Sequence, residues 1–205
     1  MSERNRVTPF GEIVAIDQTG TWMGNRGSLH RGHEIARPWN GKRWITCALE
    51  FRGWRAPQWE PGRWTALFFL DEAVALAAGH RPCALCRRAA YERFRDGWEA
   101  ALGERAGADA MDARLHADRL DGRAQRTHVR PWRDVPAGAF VRVDGVAMRV
   151  DEDRLTPWSV EGWGTSATRP RVGDAVVLTP RATVEVLRAG FVPDADARIP
   201  SPHDR

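Results

Sequence analysis

Two cysteines at Cys-x-x-Cys spacing are the residues of this 205-residue chain that most directly indicate chemistry. Cys83 and Cys86 lie in the run Gly-His-Arg-Pro-Cys-Ala-Leu-Cys over residues 79–86, a turn that leads into a predicted helix. A turn of this kind can direct both sulfurs toward one tetrahedral ion. In a reducing compartment the pattern indicates a metal site or redox chemistry rather than a structural disulfide.

A tetrahedral metal site needs two further ligands. The third cysteine of the chain, Cys47, is one available donor, and a histidine from among His30, His33 and His80 is the other. Three cysteines and one histidine form a common zinc ligand set. A redox-active dithiol and inert buried thiols are the alternatives, but neither explains the accompanying cysteine and histidine.

The residues around the cysteine pair resemble a known zinc-binding family. The run Phe-x5-Ala-x2-Ala-Gly-His-Arg-Pro-Cys-x2-Cys is similar to the second half of the zinc domain of Ada-type DNA alkylation-repair proteins and of Ada-like modules attached to nucleases. Upstream, the run Gly-Asn-Arg-Gly-Ser-Leu-His over residues 24–30 is similar to the opening of those modules. The resemblance covers about residues 22–95. It implies a zinc site formed by His30, Cys47, Cys83 and Cys86.

The composition permits a polyanionic partner without requiring one. The chain has 31 basic and 27 acidic residues, a net charge of +4 and a pI of about 9.6. Lys42 is the only lysine, so the basic residues are almost all arginine, the side chain best suited to bidentate phosphate recognition. A high-GC coding sequence explains the arginine content equally well. Six of the ten tryptophans lie between residues 22 and 64, where an exposed subset could stack on bases.

Arginines near the predicted metal helix and in residues 114–133 are candidates for following a phosphate backbone, with an aromatic residue stacking on a base. The predicted nucleic-acid contacts are Arg81, Arg87, Arg88, Arg119, Arg126 and Trp132. Acidic residues in the same stretch, Asp118 and Asp121, favour the alternative of a salt-bridged surface.

One pair of residues has the spacing for general acid–base catalysis. Asp112 and His116 stand at positions i and i+4 of a predicted helix, where a carboxylate can orient an imidazole. The alternative is an ordinary solvated helix face. The sequence contains no phosphate-binding glycine loop, no Gly-x-Ser-x-Gly elbow and no His-Glu-x-x-His motif.

Short elements on either side of the Gly/Pro turn would position the cysteines. Residues 7–65 have the short apolar runs and turn residues of a β-rich region. A buried strand over residues 65–70 leads to a helix over 72–78, with Asp71 as its N-cap and Gly79 ending it. The longest helix is predicted over residues 84–102.

The remainder of the chain predicts a connector and a second sheet. A helix is expected over residues 111–120, a hairpin turn at Asp144 and Gly145, and a short helix over 183–189. The predicted fold class is α+β. Its segments are an Ada-like zinc module over residues 1–102, a linker and helical connector over 103–137, a small antiparallel β-sheet or barrel over 138–192 and a loose tail over 193–205.

The sequence therefore predicts a zinc-containing nucleic-acid-binding protein, with DNA as the expected partner and DNA repair or modification as the expected context. One alternative is an enzyme acting on DNA or RNA through His116 and nearby arginines, or through an open zinc site. Another is a zinc-stabilised protein-interaction module. No apolar run approaches the length of a membrane span and no secretory signal is evident, so a cytoplasmic location is expected.

Overall fold

The computed structural model describes residues 2–194 of the chain as a mixed α+β protein with four helices and several antiparallel sheets. This agrees with the predicted fold class. The helices are α1 (Glu72–Ala77), α2 (Arg88–Leu102), α3 (Ala108–Arg119) and α4 (Arg181–Arg188), with a 3₁₀ turn at Trp132–Asp134. No helix of the described residues has the length and apolar character needed to cross a membrane.

Residues 4–82 form a mixed six-stranded sheet and a separate two-stranded hairpin. The strands are β1 (Arg4–Val7), β2 (Ile13–Ala15), β3 (Trp22–Asn25), β4 (His30–Arg31), β5 (Glu34–Ile35), β6 (Ile45–Cys47), β7 (Leu67–Phe69) and β8 (Arg81–Pro82). The sheet order is β2-β1-β7-β3-β6-β8, and β4 pairs with β5. The pairs β1–β7 and β6–β8 are parallel, whereas the other neighbours are antiparallel.

The second half of the chain forms a seven-stranded antiparallel sheet and another small hairpin. The strands are β9 (Leu120–Asp121), β10 (Ala124–Gln125), β11 (His128–Pro131), β12 (Phe140–Val143), β13 (Val146–Val150), β14 (Arg154–Ser159), β15 (Gly162–Trp163), β16 (Ala167–Thr168) and β17 (Asp174–Val177). The order is β11-β17-β12-β13-β14-β15, with β16 also on β14 and β9 paired with β10. Asp144 and Gly145 both adopt positive φ between β12 and β13, so the predicted hairpin turn is confirmed.

Helix α1 begins and ends where its sequence signals predict. The Asp71 carboxylate accepts a hydrogen bond from the backbone N–H of Val74 at 2.8 Å, which satisfies a donor that the first turn leaves free. Gly79 follows the helix with φ at +85°, a conformation that glycine adopts without a steric cost. The strand β7 and the helix α1 therefore fix the direction in which the chain enters the cysteine turn.

Helix α2 begins four residues later than predicted. Residues 84–87 form turns, and the regular helix begins only after Arg87, whose backbone (φ −130°, ψ 50°) is not helical. Within these turns the Leu85 N–H donates to the Cys83 sulfur at 3.4 Å. Helix α3 begins at Ala108, before the predicted start at residue 111. Helix ends fray, so a sequence pattern locates them less accurately than it locates the interior of a helix.

Two large hydrophobic clusters join the segments that the sequence separates into modules. One cluster combines α2, α3 and α4 with the seven-stranded sheet and includes Trp98, Leu115 and Val177. The other combines the first sheet and α1 with the second half of the chain and includes Phe69 and Phe140. The predicted boundaries at residues 102 and 138 therefore do not separate independent cores.

The predicted loose tail begins at residue 193, and only its first two residues lie within the described part of the chain. There the Asp194 carboxylate forms ion pairs with Arg87, at 2.7 Å, and with Arg93, at 3.0 Å. The rest of the predicted tail, residues 195–205, lies outside the described residues.

Candidate metal centre and arginine cavity

Strand pairing brings the three cysteines together. Cys47 ends β6, Cys83 follows β8, and β6 and β8 are parallel neighbours, so both residues reach the same edge of the sheet. The Cys83 N–H donates to the Thr46 carbonyl at 2.9 Å, which fixes this register. Cys86 lies in the turn before α2. The three sulfurs lie within 4.8 Å of one another, as the sequence predicted for a shared site.

The sulfur cluster lies in an apolar environment. Cys47 and Cys83 are buried, and Cys86 is partly exposed. The surrounding side chains are Met23, Ile45, Leu49, Ala56, Trp64, Ala66 and Phe68. Within residues 2–194, no histidine or carboxylate has a ligand atom within 4.8 Å of all three sulfurs. The described protein therefore supplies three donors to this site.

Hydrogen bonding favours ionisation at one of the three sulfurs. The pKa of Cys83 is lowered, first because the thiols of Cys47 and Cys86 donate to its sulfur and then because backbone N–H groups donate to it, including that of Leu85. The pKa of Cys47 is raised, mainly by its contact with Cys83. Cys83 is therefore the thiol that ionises first, and the thiolate is the metal-binding form.

The spacing of the three sulfurs is compatible with a shared metal ion. A tetrahedral site with metal–sulfur bonds of about 2.3 Å places its sulfurs about 3.8 Å apart. Cysteine thiolates suit zinc, copper(I) and iron–sulfur clusters better than magnesium or calcium. The geometry thus supports a metal centre at the three cysteines.

The structure does not bring His30 to the cysteines, and its prediction as the fourth ligand is corrected. Its Nδ1 lies 2.7 Å from the Thr65 hydroxyl, and its Nε2 lies 3.1 Å from the Glu60 carbonyl oxygen. The imidazole also packs edge-on against Trp59, with ring centroids 5.6 Å apart. Both ring nitrogens therefore have partners in the segment between β6 and β7.

The two other histidines that the sequence offered as ligands also lie elsewhere. His33 is exposed and stacks on Trp59. His80 is fully buried, its Nε2 accepts a hydrogen bond from Arg26 at 3.2 Å, and its Nδ1 lies 3.3 Å from the Ala75 carbonyl oxygen. Its pKa is well below the usual range because of burial and of the nearby positive charges of Arg26 and Arg119. His80 is therefore a neutral core residue.

The predicted dyad of Asp112 and His116 does not form. Arg81 binds both carboxylate oxygens of Asp112, at 2.9 and 2.7 Å, and all of this ion pair is buried. The His116 Nδ1 lies 2.9 Å from an Nη of Arg119, and its pKa is lowered by partial burial and by that cation. The carboxylate is thus committed to Arg81 and does not orient the imidazole.

Most of the predicted nucleic-acid contacts are buried, which corrects their assignment to a binding surface. The buried residues are Arg81, Arg87, Arg119 and Trp132. Arg87, for example, forms ion pairs with Glu72 and Asp194 and covers the Trp22 ring at 3.7 Å. Arg88 and Arg126 are exposed, but each lies near a carboxylate, that of Glu92 and Asp121 respectively.

A different cationic site is present, which we call the arginine cavity. It has a volume of about 740 Å³ and lies between the first sheet, the loop after β5, the β9–β10 hairpin and β12. Its arginines are Arg4, Arg26, Arg37, Arg119, Arg123 and Arg142. These arginines come from distant parts of the sequence, so no local motif predicts the site. The only indication in the sequence is the excess of arginine over lysine.

Comparisons of the chain with protein-family models, with curated proteins and with solved structures find no match. The resemblance to Ada-like zinc modules therefore stays a prediction.

Proposed function

We propose that this chain is a zinc-containing nucleic-acid-binding protein, with DNA as its expected partner. The observation that carries the proposal is the set of exposed arginines around the cavity, Arg4, Arg37, Arg123 and Arg142. In the described part of the chain no carboxylate lies within 4.0 Å of their guanidinium nitrogens, whereas most other described arginines do form such pairs.

Unpaired guanidinium groups favour phosphate as a partner. Each has guanidinium nitrogens available for charge-assisted hydrogen bonds to phosphate oxygens, because no carboxylate of residues 2–194 lies in contact with them. The half-buried Trp39 lines the same cavity and offers an aromatic face on which a base could stack. Charge and aromatic surface are thus combined in one place, as nucleic-acid recognition requires.

The proposed role of zinc is to hold one wall of this surface. Cys47 ends β6, and Trp44, which lines the cavity, directly precedes the same strand. The Trp44 carbonyl accepts a hydrogen bond from the N–H of Arg81 on β8 at 3.2 Å. A metal bound by the three cysteines would therefore lock β6 to β8 and, through them, fix the position of Trp44.

The decisive test is the salt dependence of oligonucleotide binding. Fluorescence titrations at several salt concentrations should give a negative slope of log affinity against log salt, because each phosphate contact releases counterions. Arg123→Ala should reduce this slope by about 0.9 for duplex DNA or about 0.7 for a single strand. Arg88→Ala is the matched control and should leave the slope unchanged, since Arg88 already pairs with Glu92 at 2.5 Å.

If only Arg88→Ala reduces the slope, the surface that contacts nucleic acid lies on α2, after the cysteine turn, and not at the cavity. If no oligonucleotide binds at low salt, the nucleic-acid proposal fails and a zinc-stabilised protein-interaction module takes its place.

A second candidate function is an enzyme that acts on nucleic acid through its metal. The observation that favours it is the number of protein donors, three in the described chain, together with the partial exposure of Cys86. Catalytic zinc sites keep a fourth position for water, whereas structural sites have four protein ligands. Turnover of DNA or RNA oligonucleotides by zinc-loaded protein, lost in Cys86→Ser with the fold retained, would support this candidate.

A further inference from the structure

We propose that the arginine cavity is a specific binding site for a phosphorylated small molecule of nucleotide size. This goes beyond the proposed function, because such a ligand would bind without any polynucleotide. The cavity lies where the first sheet meets the second half of the chain, and its volume of about 740 Å³ is in the range of small-molecule sites.

Two of the lining arginines, Arg26 and Arg119, are buried and pack on Trp44, and we call these three buried residues the floor of the cavity. The guanidinium carbon of Arg26 lies 4.0 Å from the centroid of the Trp44 ring, and that of Arg119 lies 3.8 Å from it. Both arginines are 1% exposed. Among residues 2–194, neither has a carboxylate within the 4.0 Å of an ion pair, which is rare for buried charges.

Neutral groups satisfy only part of the hydrogen-bonding capacity of these arginines. Arg26 donates to the Gly11 carbonyl at 2.8 Å and to His80, but its Nη2 has no partner in the described chain. Arg119 donates to the carbonyls of Gly79 and Lys42, at 2.8 and 2.7 Å, while its Nε has none. Two donors on the floor therefore remain unpaired.

The charge on the cavity is strongly unbalanced. Six arginines line it, and Glu12 is the one carboxylate among its lining residues. Burial lowers the pKa of Arg26 and of Arg119 to about 9, and the charge of Arg26 contributes to the shift of Arg119. Both groups remain protonated at neutral pH. Two buried cations that have no carboxylate of the described residues in ion-pair contact are costly, and a bound anion would offset that cost.

The lining selects a particular class of anion. Guanidinium groups bind phosphate in a planar, bidentate arrangement, and four exposed arginines line the cavity together with the buried pair. Apolar and aromatic side chains, including Phe10, Ile13 and Trp39, line the rest of the wall. The exposed arginines would contact the phosphate, the buried pair would stabilise it through their charge, and the apolar wall would take a planar organic group. A nucleoside mono- or diphosphate combines these features.

Calorimetry on the full-length, zinc-loaded protein tests this inference with three probes: a nucleoside diphosphate, inorganic pyrophosphate and the uncharged nucleoside. We expect saturable binding of one diphosphate per chain, weaker binding of pyrophosphate and none of the nucleoside. Arg123→Ala and Arg142→Ala remove exposed side chains and should each weaken diphosphate binding about tenfold or more. Arg88→Ala should not change it. Arg119→Gln should weaken it further, with folding checked by circular dichroism.

The outcomes separate this inference from the proposed function. Absence of diphosphate and pyrophosphate binding at low salt overturns the inference, even if oligonucleotides bind through Arg123. Equal binding of the nucleoside, or equal weakening by Arg88→Ala, also overturns it, because the phosphate or the cavity would then be irrelevant. Diphosphate binding in a protein that binds no oligonucleotide supports the inference while the proposed function fails.

Discussion

Arg81 on β8 donates hydrogen bonds to both carboxylate oxygens of Asp112 on α3, at 2.9 and 2.7 Å, and both side chains are almost fully buried. The ion pair joins the strand that leads into the cysteine turn to a helix 31 residues further along the chain. It gives Asp112 a structural role in place of the predicted catalytic one.

Removal of the Asp112 carboxylate should be strongly destabilising. Asp112→Ala leaves the Arg81 cation buried without its partner, so we expect a loss of about 3–5 kcal/mol in the free energy of unfolding. Asp109→Ala on the same helix is the control, because it breaks only the exposed pair with Arg43 and should cost about 1 kcal/mol or less. Urea denaturation measures both. Unchanged stability in Asp112→Ala would refute the structural role.

The metal content of the protein should depend on the three cysteines and not on His30 or His33. If the proposed zinc site forms, purified protein should carry about one zinc per chain. In zinc-finger peptides such binding contributes ~10–16 kcal/mol that is coupled to folding. Cys47→Ser, Cys83→Ser and Cys86→Ser should each lose the metal after dialysis, because each removes a sulfur from one cluster.

His30→Ala and His33→Ala should both retain zinc in elemental analysis, since neither imidazole lies with the sulfurs. Loss of zinc in His30→Ala alone would restore the ligand set that the resemblance implied.

Acid should destabilise the protein partly through His80. The folded state holds the pKa of His80 far below its usual value, whereas the unfolded chain takes up a proton near pH 6.5. Above about pH 6.5 this group does not change the free energy of unfolding. At lower pH the free energy of unfolding decreases by about 1.4 kcal/mol per pH unit, until the pH reaches the pKa of His80 in the folded state. His116 and His128 shift in the same direction and add to the slope.

The contribution of His80 can be isolated by comparing urea unfolding at pH 7.5 and 5.5. His80→Gln can keep the hydrogen bonds but cannot titrate, so it should show a smaller loss of stability on acidification than the wild-type protein. His33→Gln changes an exposed imidazole and should show the wild-type loss. Identical pH dependence in all three proteins would contradict the assignment.

Gly79 should tolerate substitution less well than a glycine of similar backbone conformation. Gly79 has φ at +85°, and a Cβ there would lie 2.5 Å from the Cδ of Arg119. Gly103 has φ at +77° with nothing within 4 Å of such a Cβ. Gly103→Ala should cost about 1–2 kcal/mol from backbone strain alone. Gly79→Ala should cost at least about 1 kcal/mol more because it also displaces the Arg119 side chain.

Thermal unfolding of the two glycine variants measures this difference. Equal costs would show that Arg119 can move away freely, which would also weaken the case for a fixed floor in the arginine cavity.

Several features of the protein are determined by short stretches of sequence. The Asp71 cap, the end of α1 at Gly79 and the hairpin at Asp144 and Gly145 each depend on two to four neighbouring residues, and the structure agrees with each. The cysteine pair is also local, since Cys83 and Cys86 share one turn. Cys47 joined the predicted site because no other cysteine was available, and strand pairing places it there.

Tertiary structure alone decided which charged residues are buried and which partners they have. The spacing of Asp112 and His116 in the sequence shows that both lie on one helix. It does not show that Arg81, which lies on a different element, binds the Asp112 carboxylate. His30 likewise resembled a ligand in sequence, yet Thr65 and Glu60 satisfy its ring nitrogens. Side-chain chemistry specifies what a residue can bind, but its partner depends on contacts between distant segments, which no local pattern encodes.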